Sequence, residues 1–78
     1  MGLQLQNNSL TSLPMEIGQL TKLTKLNLSR NKLETLPEGI YKLTELRHLN
    51  MSFNSIQEIS ESIAELNMLE KLVKLLHA

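Results

Sequence analysis

The stretch Leu23-Thr-Lys-Leu-Asn-Leu-Ser-Arg-Asn-Lys-Leu-Glu-Thr-Leu-Pro-Glu-Gly-Ile-Tyr-Lys-Leu43 decides the fold, because its pattern occurs three times at a fixed spacing of 23 residues. Leu3, Leu26 and Leu49 open the units, followed by Leu5, Leu28 and Met51, then Asn8, Asn31 and Asn54. The second halves match as well: Leu10, Leu33 and Ile56; Leu13, Leu36 and Ile59; Ile17, Ile40 and Ile63; Leu20, Leu43 and Leu66. Leu23, Leu46 and Leu69 close the units. A period of this length marks a repeat architecture and takes precedence over local propensity. A single unit cannot bury its apolar face alone, so the units stack into a quasi-one-dimensional solenoid.

Within a unit, Leu26 and Leu28 alternate with polar residues, the period of a strand with one buried face. Three such strands predict a short parallel sheet with neighbours about 4.8 Å apart. Asn8, Asn31 and Asn54 stand where each strand turns away. Their amides carry both donors and an acceptor, and the predicted role is to bond the backbone of adjacent turns. Pro14 and Pro37 set φ for a short helical turn, with Glu16 and Glu38 favourable near its start. Gly18 and Gly39 are expected to relax the backbone there.

The arrangement L-x-x-L-x-L-x-x-N-x-L followed by L-P-x-x-I-x-x-L resembles the leucine-rich repeat family over Leu3 to Leu69. Leu13-Pro14 and Leu36-Pro37 make it most similar to the intracellular Ras-group-related and Scribble-type repeats of scaffold proteins, and the third copy departs with Ile59-Ser60. The resemblance implies an α/β solenoid of about three repeats with a parallel sheet on its concave face. It also implies a protein-binding function through that face.

The third unit predicts a different ending. Ser60 and Glu61 read as a helix start, and no Gly or Pro follows Ile63. Ile63, Leu66, Leu69, Val73 and Leu76 recur at helical spacing, while Lys74 stands where a fourth strand needs an apolar residue. The expectation is therefore repeats over 1–60 and one amphipathic helix, 61–77, folding over the end of the stack within a cap segment 61–78. Met68, Leu72 and Leu75 form a second apolar row on that helix, either core-facing or available to a partner chain. At the other end Leu3, Leu5, Leu10, Leu13, Ile17 and Leu20 have no unit before them, and the first strand's edge lacks the proline or lysine that discourages pairing. A homodimer through Leu3 and Leu5, or through Met68, Leu72 and Leu75, is one expectation from these surfaces.

The outward columns of the strand face are Gln4, Asn27 and Asn50; Gln6, Ser29 and Ser52; Asn7, Arg30 and Phe53; Ser9, Lys32 and Ser55. Lys25 and His48 lie just before the strands on the same side. Every charged group among these is basic, and the mapping puts all eight acids, Glu16, Glu34, Glu38, Glu45, Glu58, Glu61, Glu65 and Glu70, on other faces. The candidate binding residues are Asn27, Ser29, Arg30, Lys32, Asn50, Ser52 and Phe53, with an aromatic beside an arginine as anchor. The expected ligand is a peptide or protein segment of acidic character. A sheet of three short strands covers on the order of 240 Å², against roughly 800 Å² per partner in a stable complex. A peptide therefore fits this face better than a globular partner.

Composition narrows the function further. Eight basic and eight acidic residues cancel, and no run of like charge points to nucleic acid or an anionic membrane. No stretch is long and apolar enough to span a bilayer, and Met1 to Gln6 lack the features of a signal peptide. Cysteine is absent, whereas extracellular members of the resembled family carry cysteine-rich flanks. An intracellular, cytoplasmic location is the expectation. The chain also has no Asp, and His48, Asn50 and Ser52 share only an open strand face without oxyanion donors. The reading is a non-enzyme without cofactor or metal. A self-assembling structural repeat protein, engineered or shortened from a longer one and lacking a dedicated ligand, is the alternative.

Overall fold

The strand half of each unit forms a three-residue strand in the computed structural model, which describes residues 2–57 and 59–73. Strand β1 is Gly2–Gln4, β2 is Lys25–Asn27, β3 is His48–Asn50 and β4 is Lys71–Val73. They make one parallel sheet in the order β1-β2-β3-β4. Leu3, Leu26, Leu49 and Leu72 stand opposite one another in register. The period of 23 thus sets the pairing, since a slip of one residue turns every leucine to solvent.

Each chain segment returns through a short 3-10 helix on the opposite side: Met15–Gln19, Glu38–Lys42 and Glu61–Glu65. Pro14 and Pro37 occupy the extended position just before the first two. In both, the proline carbonyl accepts from the isoleucine three residues on, at 3.1 Å for Ile17 and 3.0 Å for Ile40. Ser60 does the same for Ile63 at 3.0 Å and adds a side-chain cap, its Oγ accepting from the Ser62 N–H at 3.1 Å. The change from proline to serine alters the cap and leaves the turn intact.

The predicted helix over 61–77 is not formed. Its first five residues are the 3-10 turn, and Lys71–Val73 is a fourth strand paired with β3. Leu66 and Leu69 explain the misreading, because their spacing of three suits a helix and also matches Leu20/Leu23 and Leu43/Leu46. The same backbone link closes all three: Leu23 N–H to Leu20, Leu46 to Leu43 and Leu69 to Leu66, at 3.0–3.1 Å. The Glu70 N–H then donates to the Arg47 carbonyl at 2.8 Å and starts the strand. Tertiary pairing overrides the local helical pattern. Residues 74–77, including Leu75, lie outside the described residues, and so does the expected inward position at Lys74.

The core concentrates in the middle of the stack. Leu23, Leu26, Leu28, Leu33, Ile40, Leu43, Leu46, Leu49 and Met51 are fully enclosed. Leu3, Leu5 and Leu10 at one end, and Ile59, Ile63 and Leu69 at the other, are half-buried. Between units runs the asparagine ladder expected from the sequence. Asn31 Oδ1 accepts from the Asn8 and Leu10 N–H groups at 3.0 and 2.9 Å, and its Nδ2 donates to the Leu5 carbonyl at 2.9 Å. Asn54 reaches back likewise to the Leu33 N–H at 3.0 Å and the Leu28 carbonyl at 2.8 Å.

Gly18 and Gly39 do something other than relax the backbone, for neither has a positive φ. They let two turns touch. A Cβ added on Gly39 would overlap the Met15 carbonyl oxygen, and one added on Gly18 would meet the Gly39 oxygen at 2.7 Å. The equivalent pair at the next interface is Tyr41 and Ser62, and there the 3-10 turns approach less closely. Tyr41 is buried, which pushes its hydroxyl above the usual tyrosine range, partly offset by a hydrogen bond with the Ser60 backbone. Gly39→Ala should lower stability by about 1–3 kcal/mol, since the obstacle is backbone that no rotamer change relieves. Ser62→Ala is the control, and equal thermal midpoints for the two variants would refute the close-approach argument.

Candidate functional site

The outward strand face divides into a closed middle and two open ends. In the middle, Asn27 Oδ1 accepts from the Ser29 N–H at 3.0 Å and from its Oγ at 2.7 Å. Asn50 and Ser52 repeat this at 3.1 and 2.8 Å. Ser29 and Ser52 are buried, and Asn27 and Asn50 half-buried. These four candidate residues do lie side by side, but their serine hydroxyls are engaged within the protein. The Ser52 hydroxyl donates to Asn50 at 2.8 Å.

Arg30, Lys32 and Phe53 stand at the end where the strands turn away. By alternation Arg30 shares the parity of Leu26 and Leu28, and Phe53 that of Leu49 and Met51, which would send both inward. The backbone prevents this: φ is 58° at Arg30 and 58° at Phe53, with Asn7 at 62° in the same column. The left-handed conformation turns each side chain out to solvent. For a bulky residue such a φ is an outlier costing of order 1–3 kcal/mol. The strain is held in place by pairing, as the Arg30 N–H donates to the Ser52 carbonyl at 2.9 Å and the Lys32 N–H to the Leu10 carbonyl at 2.7 Å.

The exposed side chains then meet. The Arg30 guanidinium carbon lies 4.4 Å from the centroid of the Phe53 ring, within the range of an attractive cation–π contact. Phe53 stays 43% exposed, so the stacked pair is open to a ligand on its outer side.

At the start of the strands Lys25 and His48 border an open depression of about 320 Å³, floored by β1, β2 and β3 and edged by Gln4, Asn27 and Asn50. A neighbouring hollow of about 210 Å³ adds Thr24, Arg47 and Glu70. Glu70 therefore borders the basic face, contrary to the expectation that all acids lie elsewhere. Its charge is matched there, because Glu70 pairs with Arg47 at 3.6 Å, just as Glu45 pairs with Lys22 at 3.5 Å. Glu58 lies outside the described residues. Among the described residues, no carboxylate pairs with Lys25, Arg30 or Lys32, and no group of three His, Asp or Glu side chains gathers to hold a metal.

Two features of the site went unread in the sequence. The signal for the turned-out backbone was available, namely a charged residue at the inward parity of a strand. The other is in the first unit, where Gln4 and Gln6 replace the Asn–Ser pair. Gln6 Nε2 donates to Gln4 Oε1 at 3.2 Å, and Gln6 Oε1 is left buried without a partner among the described residues. The proposed association residues are scattered. Leu3 and Leu5 sit half-buried at the β1 end, Met68 is exposed in the turn before β4 rather than on a helix, Leu72 pairs in β4 with its side chain outside the described residues, and Leu75 lies outside them.

Comparison with known proteins agrees with this architecture. No curated protein matches the chain. A solved structure of a leucine-rich repeat protein from Leptospira interrogans is similar with a TM-score of 0.88 and 39% sequence identity, over 95% of this chain and 20% of that one. The chain thus spans about a fifth of that protein's length. The family model described as leucine rich repeat matches residues 1–56. With its asparagine ladder, its parallel strands at a period of 23 and this match over most of its length, the chain belongs to the leucine-rich repeat family.

Proposed function

We propose that this chain is a non-catalytic protein-interaction module, acting inside the cell, whose strand face binds an acidic polypeptide segment around Arg30, Lys32 and Phe53. The observation that carries the reading is the Arg30–Phe53 stack at 4.4 Å, held at the surface by a strained backbone in both residues. Strain kept at a position where glycine fits more easily points to a use for the side chains. The family supports a binding role, and the absence of cysteine supports the location.

The test is binding of a labelled glutamate-rich peptide, followed by anisotropy, to the native chain and to a variant carrying both Arg30→Ala and Phe53→Ala. The variant should lose about tenfold or more in affinity, as for a central aromatic and arginine anchor. Unchanged binding would overturn the reading. Self-association remains as a second reading because β1 is an open sheet edge with Leu3, Leu5 and Leu10 half-buried beside it. Light scattering after size exclusion across a range of concentrations decides that one: a dimer favours it, and a constant monomer mass refutes it.

A further inference from the structure

We infer that the strand face recognises two acidic residues four positions apart in an extended peptide lying along the strands. The inference deepens the proposed acidic-segment reading and rests on it.

The charge on this face is not spread evenly. One basic pole is Lys25 with His48, at the strand starts and beside the 320 Å³ depression. The other is Arg30 with Lys32, where the strands turn away. Between them the Asn27–Ser29 and Asn50–Ser52 pairs close on themselves and carry no charge. The acceptors of both asparagines are taken by serine, which leaves their Nδ2 donors to meet peptide carbonyls. The middle of the face therefore suits any extended backbone, and selection falls to the two ends.

The spacing follows from chain geometry. Lys25 and Arg30 are five residues apart along a mostly extended segment, which places their side chains about 15 Å from each other. In an extended peptide, residues i and i+4 point to one side and lie about 13 Å apart. Carboxylates at i and i+2 are only about 7 Å apart and engage a single pole. At the scale of a small ligand pocket, a depression of this volume accepts a side chain and not a folded domain. Glu70, which borders the first pole, is already paired with Arg47, so it does not compete for Lys25.

The experiment uses the full chain and a set of capped, labelled ten-residue peptides. Each carries two glutamates at i+1, i+2, i+4 or i+6 in a background of serine and alanine, with a neutral peptide and a one-glutamate peptide for comparison. Anisotropy at low salt should show the i+4 peptide binding about fivefold tighter than the i+1 and i+6 peptides, the size of one additional exposed ion pair. Lys25→Gln and Arg30→Gln, both at exposed positions, should each reduce the i+4 peptide to the affinity of the one-glutamate peptide. Thermal melts of these variants establish that they remain folded. Equal affinity for all two-glutamate peptides would overturn the spacing while leaving the acidic reading in place. Binding no tighter than that of the neutral peptide would overturn both.

Discussion

Leu28→Ala should destabilise the protein by about 2–5 kcal/mol. Leu28 is fully enclosed in the second unit, with a stacked unit on each side. Its backbone is also a junction. The N–H donates to the Asn50 carbonyl at 2.7 Å, while its own carbonyl accepts from Asn31 and Asn54 at 3.0 and 2.8 Å. A cavity here cannot close without moving strands fixed by those bonds, which puts the expected loss at the upper part of the range. Domains in general have only about 5–15 kcal/mol to lose, and a chain of 78 residues is small among them. Urea unfolding followed by circular dichroism gives the number. Leu10→Ala, at a half-buried end position, should cost clearly less, and a Leu28 variant within about 1 kcal/mol of the native chain would mean that the core is misassigned.

The second large effect belongs to Asn31→Ala, expected at about 3 kcal/mol or more. The side chain makes five hydrogen bonds: two accepted from Asn8 and Leu10, and three donated to the carbonyls of Leu5, Leu28 and Ser29. Removing it leaves the part-buried Asn8 and Leu10 N–H groups without their acceptor, each orphan costing about 1–3 kcal/mol, while the Leu5, Leu28 and Ser29 carbonyls each lose one of two donors. Asn8 is the natural comparison. It has the same place in its own unit, yet it is exposed, and among the described residues its side chain bonds only the Leu5 carbonyl, at 3.0 Å. Asn8→Ala should therefore change stability by less than about 1 kcal/mol. Equal losses at the two positions would show that the ladder's contribution is local to each turn and not a link between units.

Much of this architecture was legible because repetition multiplies weak signals. One Leu-x-Leu says little, but Leu3, Leu26 and Leu49 with an asparagine five residues after each allow few alternatives. The end of the chain was harder. From Ile63 onward only the leucines at 66, 69 and 72 carry the period, and Ile63, Leu66, Leu69 and Val73 satisfy a helical stripe equally well. Pairing with β3 decided between the two readings, and that energy is invisible in the local sequence. On the candidate site, Arg30, Lys32 and Phe53 are exposed, whereas Ser29 and Ser52 are buried. Asn27, Ser29, Asn50 and Ser52 look alike in the sequence as polar surface, whereas their mutual hydrogen bonds take the serines out of play. The conformation of Arg30 and Phe53 was unread because positive φ is expected of glycine and asparagine, and the inward parity of Arg30 was the one signal that pointed to it.

The contrast between the two glycines and Tyr41 has a geometric consequence. Hydrogen bonds hold parallel strands about 4.8 Å apart, so the separation of the outer turns decides whether successive units run straight or fan out. Glycine against glycine lets the turns of the first two units touch. With Tyr41 and Ser62 in those places the turns of the second and third units touch less, so any bend of the stack is expected at that joint. Arg30 and Phe53 belong to those same two units on the inner side, where bending draws neighbouring side chains together. A wider outer rim at that joint is expected to favour the 4.4 Å approach of this cation to its ring. Exchanging the glycine and tyrosine positions between the two joints would shift the bend one unit along the chain.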